Sequence, residues 1–238
     1  MTKTAAIVLA AGQGKRMNSK VAKQYLLLDG KPVLYYTLKA FEESPVDEIV
    51  LVTGSGEEEH CRTEIVKKYG FHKIKKILAG GKERYHSVHK GLDALREEKE
   101  LRHVLIHDGA RPFVSQDILE RTLAMVRQES ACAVGVPVTD TIKLADDRGY
   151  VVQTPDRSHL WSMQTPQAFE YRLIRDAYDT LVHEEERFLT EGIRITDDAM
   201  VVETILHLPV KIVQGSYENM KITTPEDLAK AEILCAKR

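Results

Sequence analysis

The residues best suited to chemistry lie in one loop near the N-terminus, within residues 7–28. Gly12 and Gly14 carry no Cβ, so backbone N–H groups can approach an anion closely at these positions. Three cations share the loop: Lys15, Arg16 and Lys23. Arginine can bind two phosphate oxygens at once, and lysine adds a mobile point charge. The combination predicts a polyphosphate-binding loop, although glycines at this spacing are equally typical of an ordinary turn.

This loop matches neither of the two commonest phosphate-binding motifs. A Walker A loop requires Ser or Thr after Gly-Lys, whereas Arg16 follows Gly14 and Lys15. The dinucleotide fingerprint requires a third glycine, which is missing here. Other clusters of the chain must therefore decide the function.

A second cluster occupies residues 79–87 and contains Gly80, Gly81, Arg84 and Ser87. Its two glycines would let backbone groups contact a nucleotide base, which Arg84 and Ser87 could then fix. A plain strand-to-helix turn with a capped helix explains the same residues equally well.

A third cluster, residues 107–112, follows an apolar run. Asp108 could contact a ribose hydroxyl or a metal, and Arg111 a phosphate. A simple pair between these two residues is the alternative, and we expect His107 to be structural. Further polar clusters occupy residues 140–143, 156–157, 164–167, 196–199 and 219–223.

The adjacent acids Asp197 and Asp198 do not predict a metal site. Neighbouring carboxylates at a helix start point in different directions, and both are explained as partners of the helix dipole. The chain also lacks the Gly-x-Ser-x-Gly, His-Glu-x-x-His and Cys-x-x-Cys motifs of hydrolases, zinc peptidases and thioredoxins. The chemistry that remains is charge stabilisation of phosphates.

Short apolar runs alternate with amphipathic stretches up to Pro137. The runs, predicted as strands, cover residues 5–9, 48–52, 73–78, 103–106 and 132–136. The amphipathic stretches, predicted as helices, cover residues 32–43, 57–69, 83–97 and 115–129. Alternation of this kind predicts an α/β fold, a Rossmann-like mostly parallel sheet with helices on both faces. Ligands of such folds bind at the carboxyl ends of the strands, where the clusters lie.

The pattern changes after Pro137. Residues 138–144 and 150–154 are β-prone and flank a turn, which predicts a protruding β-hairpin. A long hairpin has little core of its own, so we expect residues 138–156 to form an arm that makes a homodimer. Thr224 and Pro225 predict the start of a last helix that ends near residue 237.

Composition limits the class of protein. The chain has 238 residues, 43% hydrophobic and 29% charged, which predicts one globular domain, residues 1–238, with the arm inserted. A net charge of −2 gives no general attraction to nucleic acid or to an anionic membrane, and neither is expected as a partner. Cys61, Cys132 and Cys235 lack metal or disulfide spacing, and the N-terminus resembles no signal peptide. We therefore expect a cytoplasmic protein.

Seven segments in order give the clusters a common meaning. They read LAAGQGKRM, KQYLLLDGKPVL, HDGARPF, VPVTDTIK, LWSMQTPQAF, TDDA and NMKITTPEDL. Over nearly its whole length the chain resembles the cytidylyltransferases of the non-mevalonate isoprenoid pathway. These enzymes are of the nucleotidyltransferase type and make CDP-methylerythritol from CTP and 2-C-methyl-D-erythritol 4-phosphate.

The resemblance implies a role for individual residues. Those implied as catalytic are Arg16, Lys23, Arg157 and Lys221. Those implied to bind the nucleotide are Ala10, Ala11, Gly12, Gly14, Gly81, Lys82, Arg84, Ser87, Asp108 and Gly109. Those implied to bind the sugar phosphate are Arg111, Thr141, Arg157, Thr165, Thr196 and Lys221. Mg²⁺ is implied to bind mainly through the CTP phosphates, with no dedicated protein ligand, and Arg157 to serve the other subunit's site.

Three positions depart from the family pattern. Ala22 replaces a usual proline, Gly109 replaces an alanine, and Lys82 stands where an acid is common. We therefore expect Lys82 to contact the base only through its backbone.

Two alternatives share these features. The first is a sister enzyme that makes CDP-ribitol from ribitol phosphate; residues 139–143 and 160–161 favour methylerythritol phosphate by similarity. The second is a non-catalytic nucleotide sensor on the same fold. The joint presence of Arg16, Lys23 and Lys221 argues against it, because a sensor need not keep transition-state charges.

Overall fold

The computed structural model describes residues 2–12, 14, 17 and 21–237. Its strands are β1 (Lys3–Ala10), β2 (Leu27–Leu28), β3 (Lys31–Pro32), β4 (Glu48–Thr53), β5 (Ile74–Ala79), β6 (Leu101–Asp108), β7 (Ala131–Pro137), β8 (Leu144–Ala145), β9 (Val151–Gln153), β10 (Trp161–Glu170) and β11 (Lys211–Gln214). Its helices are α1 (Val33–Glu42), α2 (Glu58–His60), α3 (Arg84–Asp93), α4 (Gln116–Glu129), α5 (Tyr171–His183), α6 (Glu185–Thr190), α7 (Asp198–Val201) and α8 (Pro225–Cys235). π-helical turns continue α2 through Cys61–Lys67 and α7 through Val202–Leu206.

Within the described residues, the main sheet has seven strands in the order β11-β7-β10-β6-β1-β4-β5. β1 pairs in parallel with β4 and β6, β4 with β5, and β7 with β11. β10 is antiparallel to both of its neighbours, β6 and β7. The predicted mostly parallel sheet is confirmed, as are the five strands and four helices predicted before Pro137.

Two apolar cores cover the two faces of the sheet. One face packs against α1 and α4, with Leu38, Phe41 and Leu119 fully buried. The other packs against α3 and α5, with Leu92 and Tyr178 fully buried. Helices therefore lie on both faces, as predicted, and hold the carboxyl ends of the parallel strands in place.

β10 was not among the predicted strands. Its sequence contains Pro166 and several polar residues, which weaken a strand pattern. The structure accommodates Pro166 because the pairing with β7 is interrupted between Met163 and Gln167. Proline lacks the N–H that a regular ladder needs, so an irregularity is where a strand tolerates it.

The hairpin strands are shorter than predicted. Pairing is limited to β8 and β9, with Leu144 opposite Gln153, while residues 138–143 are not in a strand. All residues from 139 to 154 are exposed, so none of the residues that the structure describes packs on the arm to extend its ladder. The predicted last helix is confirmed as α8, where Thr224 caps the first turn by accepting a bond from Asp227 N.

Candidate active site

A cleft of about 610 Å³ opens where β1, β5 and β6 end. Every residue implied to bind the nucleotide lines it except Gly109. Lys23 and Lys221 from the catalytic set line it too. The structure thus brings the first loop, the 79–87 cluster and the Asp108 cluster together at one edge of the sheet, as expected for an α/β fold. The remaining predicted catalytic residue of the first loop, Arg16, lies outside the described residues.

Lys23 is held at the cleft by the two residues that follow it. Residues Lys23–Tyr25 form one 3₁₀ turn. Gln24 is buried and donates from Nε2 to Ala10 O at 2.6 Å. The hydroxyl of Tyr25 donates to Glu57 Oε2 at 2.8 Å, at the far side of the loop. These bonds tie Lys23 to the ends of β1 and β4, a role that the sequence did not reveal for Gln24, Tyr25 or Glu57.

The turn before α3 requires its two glycines. A Cβ on Gly80 would lie 2.5 Å from Ala11 Cβ, and one on Gly81 would collide with His86. Ser87 Oγ accepts a bond from Gly81 N at 3.0 Å and donates to Glu83 O at 3.3 Å. Glu83 and His86 also form a capping box on α3. The capped-turn interpretation is therefore correct, and the same turn forms one wall of the cleft.

Asp108 is the charged centre of the cleft. Its carboxylate lies 2.9 Å from Lys221 Nζ and 3.5 Å from both Arg84 Nε and Arg111 Nε. Burial alone would raise the pKa of Asp108, but Arg84, Lys221 and Arg111 together hold it well below its ordinary range. The carboxylate therefore stays ionised. The Asp108–Arg111 pair that we considered as an alternative is present, but Asp108 also faces two further cations.

The side chains of Thr165 and His107 form a buried hydrogen-bond chain with the backbone of Asp108. Thr165 Oγ1 accepts a bond from Asp108 N at 3.1 Å and lies 3.1 Å from His107 Nδ1. Burial lowers the pKa of His107 to about 3, so its imidazole is neutral. Nδ1 then accepts the Thr165 proton, while Nε2 donates to Arg111 O at 3.3 Å. The structural role expected for His107 is confirmed.

Thr165 is buried next to Asp108, and its implied contact with the sugar phosphate stays a prediction. Its side chain was implied to hold the sugar phosphate, but the residue is 4% exposed and does not line the cleft. Its hydroxyl is already bonded to Asp108 and His107. In the structure, this hydroxyl therefore holds the backbone of Asp108 through a hydrogen bond.

Asp197 and Asp198 do different things at the start of α7. Asp197 is the N-cap and accepts a bond from Met200 N at 2.9 Å, which confirms its predicted helix-start role. Asp198 is fully buried and binds the guanidinium of Arg84 through both oxygens. A pair 114 residues apart leaves no local sequence signal, and the helix-dipole interpretation missed it.

Comparison with known families decides the identity. The model of the family described as IspD, 2-C-methyl-D-erythritol 4-phosphate cytidylyltransferase, matches residues 4–237. The chain belongs to this family. It is therefore a cytidylyltransferase of the isoprenoid pathway. Membership in this family supports that activity over the ribitol-phosphate enzyme and the nucleotide sensor considered as alternatives.

Relatives with the same description cover 95% or more of this chain. A 2-C-methyl-D-erythritol 4-phosphate cytidylyltransferase from Lachnoclostridium phytofermentans is 49% identical over 234 residues, covering 98% of this chain and 97% of the relative. One from Geobacter metallireducens is 49% identical over 229 residues, with 95% of each chain covered.

Solved structures of the family agree with the fold. The crystal structure of 4-diphosphocytidyl-2C-methyl-D-erythritol synthase from Anaerococcus prevotii has a TM-score of 0.83 and 34% identity, covering 99% of this chain and 96% of that one. The Thermus thermophilus enzyme, described as 2-C-methyl-D-erythritol 4-phosphate cytidylyltransferase, has a TM-score of 0.75 and 30% identity, covering 97% and 98%. The predicted nucleotidyltransferase fold is therefore confirmed.

Six implied site residues that the structure describes do not line the cleft of this family member: Gly109, Arg111, Thr141, Arg157, Thr165 and Thr196. Thr141, Arg157 and Thr196 are exposed, and Arg157 Nη1 donates to Thr139 O at 2.9 Å. The amide of Gly109 donates to Leu9 O at 2.8 Å, inside the strand ends, so it is not available to a ligand. A Cβ at Gly109 would lie 3.0 Å from both Leu9 O and Leu34 Cδ1. Close packing is the physical reason for this glycine.

The described residues do not form a metal site made by protein side chains alone. No group of three His, Cys, Asp or Glu side chains there could hold a metal ion. Asp108 and Glu83 are the carboxylates that line the described wall of the cleft. One carboxylate beside bound phosphates is, however, the usual protein contribution to a Mg²⁺ site in phosphoryl-transfer enzymes.

The described helices include none that is long and apolar enough to cross a membrane.

Proposed function

We propose that this cytidylyltransferase transfers the cytidylyl group of CTP to 2-C-methyl-D-erythritol 4-phosphate, giving CDP-methylerythritol and pyrophosphate. The observation that carries the proposal is the single cleft that collects the glycine loop, Lys23, the 79–87 turn and the cations around Asp108. The acceptor's phosphate oxygen attacks the α-phosphorus of CTP. The new P–O bond forms as the bond to pyrophosphate breaks.

The protein's part in this reaction is positioning and charge neutralisation. We assign Lys23 and Arg16 to the charge that builds on the reacting phosphate, and Lys221 and Arg111 to the phosphate of the acceptor. No general base is required, because a phosphate monoester with a second pKa of about 6 is already largely ionised near pH 7. The neutral, buried His107 is consistent with this assignment.

Cytosine selection is assigned to the turn before α3. Ser87 Oγ donates its proton to Glu83 O and accepts a bond from Gly81 N, so its second lone pair is the acceptor that we assign to the base. An acceptor matches the exocyclic amino group of cytosine and repels the carbonyl at the same place in uracil. Lys82 is exposed at the rim, which agrees with a contact through its backbone alone.

Mg²⁺ fits this cleft as a partner of CTP. The phosphates would supply most of its oxygen ligands and Asp108 a neighbouring carboxylate, since Mg²⁺ favours few protein ligands. When bound, the ion would neutralise charge on the phosphates. The chain's own cations Arg84, Arg111 and Lys221 keep Asp108 ionised for that contact.

The acceptor side of the site requires a second copy of the chain in this proposal. Thr141 and Arg157 belong to or flank the arm and do not line the cleft of their own chain. The arm also exposes Ile142, Leu144, Tyr150, Val151 and Val152. Burial of these side chains against another copy would stabilise a homodimer. That arrangement brings Arg157 to the neighbouring site.

The proposed function is tested by pyrophosphate release from the purified protein with Mg²⁺. Each of CTP, UTP, ATP and GTP is offered with methylerythritol phosphate and, separately, with ribitol phosphate. Release should occur with CTP and methylerythritol phosphate. A higher kcat/KM with ribitol phosphate would show that ribitol phosphate is the acceptor. If no combination of substrates released pyrophosphate, the proposed function would be wrong.

A further inference from the structure

A buried carboxylate stands behind the cleft, outside the residues assigned to substrates. Asp198 is fully buried. Its Oδ1 accepts bonds from Arg84 Nη1 at 2.7 Å and from Tyr178 Oη at 2.5 Å, and its Oδ2 accepts from Arg84 Nη2 at 2.7 Å. Two parallel bonds from one guanidinium fix both distance and orientation. The two bonds therefore hold the guanidinium of Arg84 against Asp198.

Asp198 is itself anchored on the sheet. Gln167 of β10 donates from Nε2 to Asp197 Oδ2 at 2.9 Å and accepts from Ala199 N at 2.8 Å. This amide holds the residues on both sides of Asp198. The first turn of α7 is thus tied to β10, and Asp198 is a rigid point from which Arg84 is held.

Arg84 transmits this position to two parts of the cleft. It is the first residue of α3, so fixing its side chain fixes the helix start that follows Gly81 and Lys82. Its Nε also lies 3.5 Å from Asp108 Oδ1, while its two Nη atoms bind Asp198. The guanidinium is therefore shared between one carboxylate behind the cleft and one inside it.

We propose that Asp198 is a positioning residue for CTP, acting through Arg84 on the base turn and on Asp108. This inference rests on the proposed function only in taking CTP as the nucleotide. In D198N the bidentate ion pair is lost. Arg84 then turns toward Asp108, competes there with Lys221, and no longer fixes the start of α3.

CTP affinity measured by calorimetry in the presence of MgCl₂ tests this role without turnover. D198N should weaken CTP binding at least tenfold. In steady-state kinetics its KM for CTP should rise similarly, while kcat at saturating CTP falls less than threefold. In an Arg84→Gln background, D198N should change the affinity less than twofold, because the route through Arg84 is already broken.

Asp179→Asn is the matched control. Asp179 lies on α5 and pairs with His89 of α3 at 2.8 Å and with Arg96, just beyond α3, at 3.2 Å. It therefore joins α5 to α3 through a pairing that does not include a cleft residue. The Asp179→Asn variant should have a lower melting temperature than wild type and a CTP affinity within twofold of wild type. Equal loss of CTP affinity in Asp179→Asn and D198N would assign Asp198 a merely structural role.

Tyr178→Phe keeps the proposal testable if D198N does not fold. It removes one bond to Asp198 and preserves both charges. CTP binding should weaken at least twofold; wild-type affinity in the folded variant would overturn the positioning role. Wild-type protein that binds CTP but forms no product would instead overturn the proposed function alone, because the affinity comparison needs no turnover.

Discussion

Lys221 Nζ lies 2.9 Å from Asp108 Oδ2, so the lysine assigned to the acceptor phosphate touches the acid assigned to the nucleotide side. The two substrates of the proposed reaction therefore meet at one ion pair. Lys221→Met keeps much of the side-chain length and removes the charge. We expect kcat/KM for methylerythritol phosphate to fall about 100-fold, because a phosphate partner is lost in a low-dielectric cleft.

Calorimetry with CTP separates this role from a structural one. CTP affinity of Lys221→Met should stay within threefold of wild type. Lys211→Met, at an exposed position of β11, is the control and should behave as wild type. An unchanged kcat/KM in Lys221→Met would mean that the lysine serves only to pair Asp108.

Lys23→Ala tests the transition-state assignment of the first loop. The bond from Gln24 to Ala10 does not involve the Lys23 side chain, so the change removes the cation without breaking it. We expect kcat to fall about 100-fold or more, with a smaller change in KM for CTP. Lys75→Ala changes an exposed lysine elsewhere and should leave both unchanged. A wild-type kcat in Lys23→Ala would exclude the catalytic role.

Ser87→Ala tests nucleotide selection. Removing the acceptor should lower kcat/KM for CTP about tenfold and leave UTP less affected, since one hydrogen bond contributes about 1–1.5 kcal/mol. The ratio of the two kcat/KM values is the measurement. Ser115→Ala removes the cap of α4 instead, and it should lower stability without changing that ratio. Equal losses with CTP and UTP would contradict selection by Ser87.

Thr165→Val tests the supporting position of this residue. The variant keeps the shape but leaves Asp108 N and His107 Nδ1 without their shared partner. The free energy of unfolding in urea should fall by about 1–3 kcal/mol. KM for methylerythritol phosphate should change less than twofold; a rise of tenfold would restore the implied sugar-phosphate contact. Thr63→Val, at an exposed helical site, should change neither quantity.

Arg157→Ala tests the shared site. If Arg157 serves the neighbouring subunit, each active site contains Lys23 from one chain and Arg157 from the other. Arg157→Ala and Lys23→Ala homodimers should each be nearly inactive. Mixed and re-associated, about half of the molecules become heterodimers with one intact site, so activity should recover to about a quarter of wild type. Absence of recovery at every mixing ratio would place Arg157 and Lys23 in the same chain's site.

Local pattern predicted the first half of the fold well. Apolar runs and amphipathic stretches up to Pro137 were sufficient, because each strand and helix there is decided by its own sequence. β10 was missed since its strand form depends on two neighbours and on an irregularity at Pro166. The arm strands were overestimated because β-propensity alone does not form a ladder without packing.

Site prediction followed the same division. Residues that adjoin glycine turns, such as Gly81, Ser87 and Lys23, line the cleft as implied. The partners that position them were not apparent, because Arg84 and Asp198 are brought together only by the packing of α3, α5 and α7. The burial of Thr165 under Asp108 likewise depends on β10 lying beside β6.

The position of β10 has a consequence for the newly made chain. β6 and β7 follow each other in the sequence, but β10 lies between them in the sheet. The place between β6 and β7 therefore stays unfilled until residue 170, the end of β10, has been synthesised. During that interval the edge of β6, and both edges of β7, have no ladder partner. Open edges of this kind pair readily with other chains. We therefore expect a nascent or truncated chain that ends near Pro137 to aggregate more readily than the full chain.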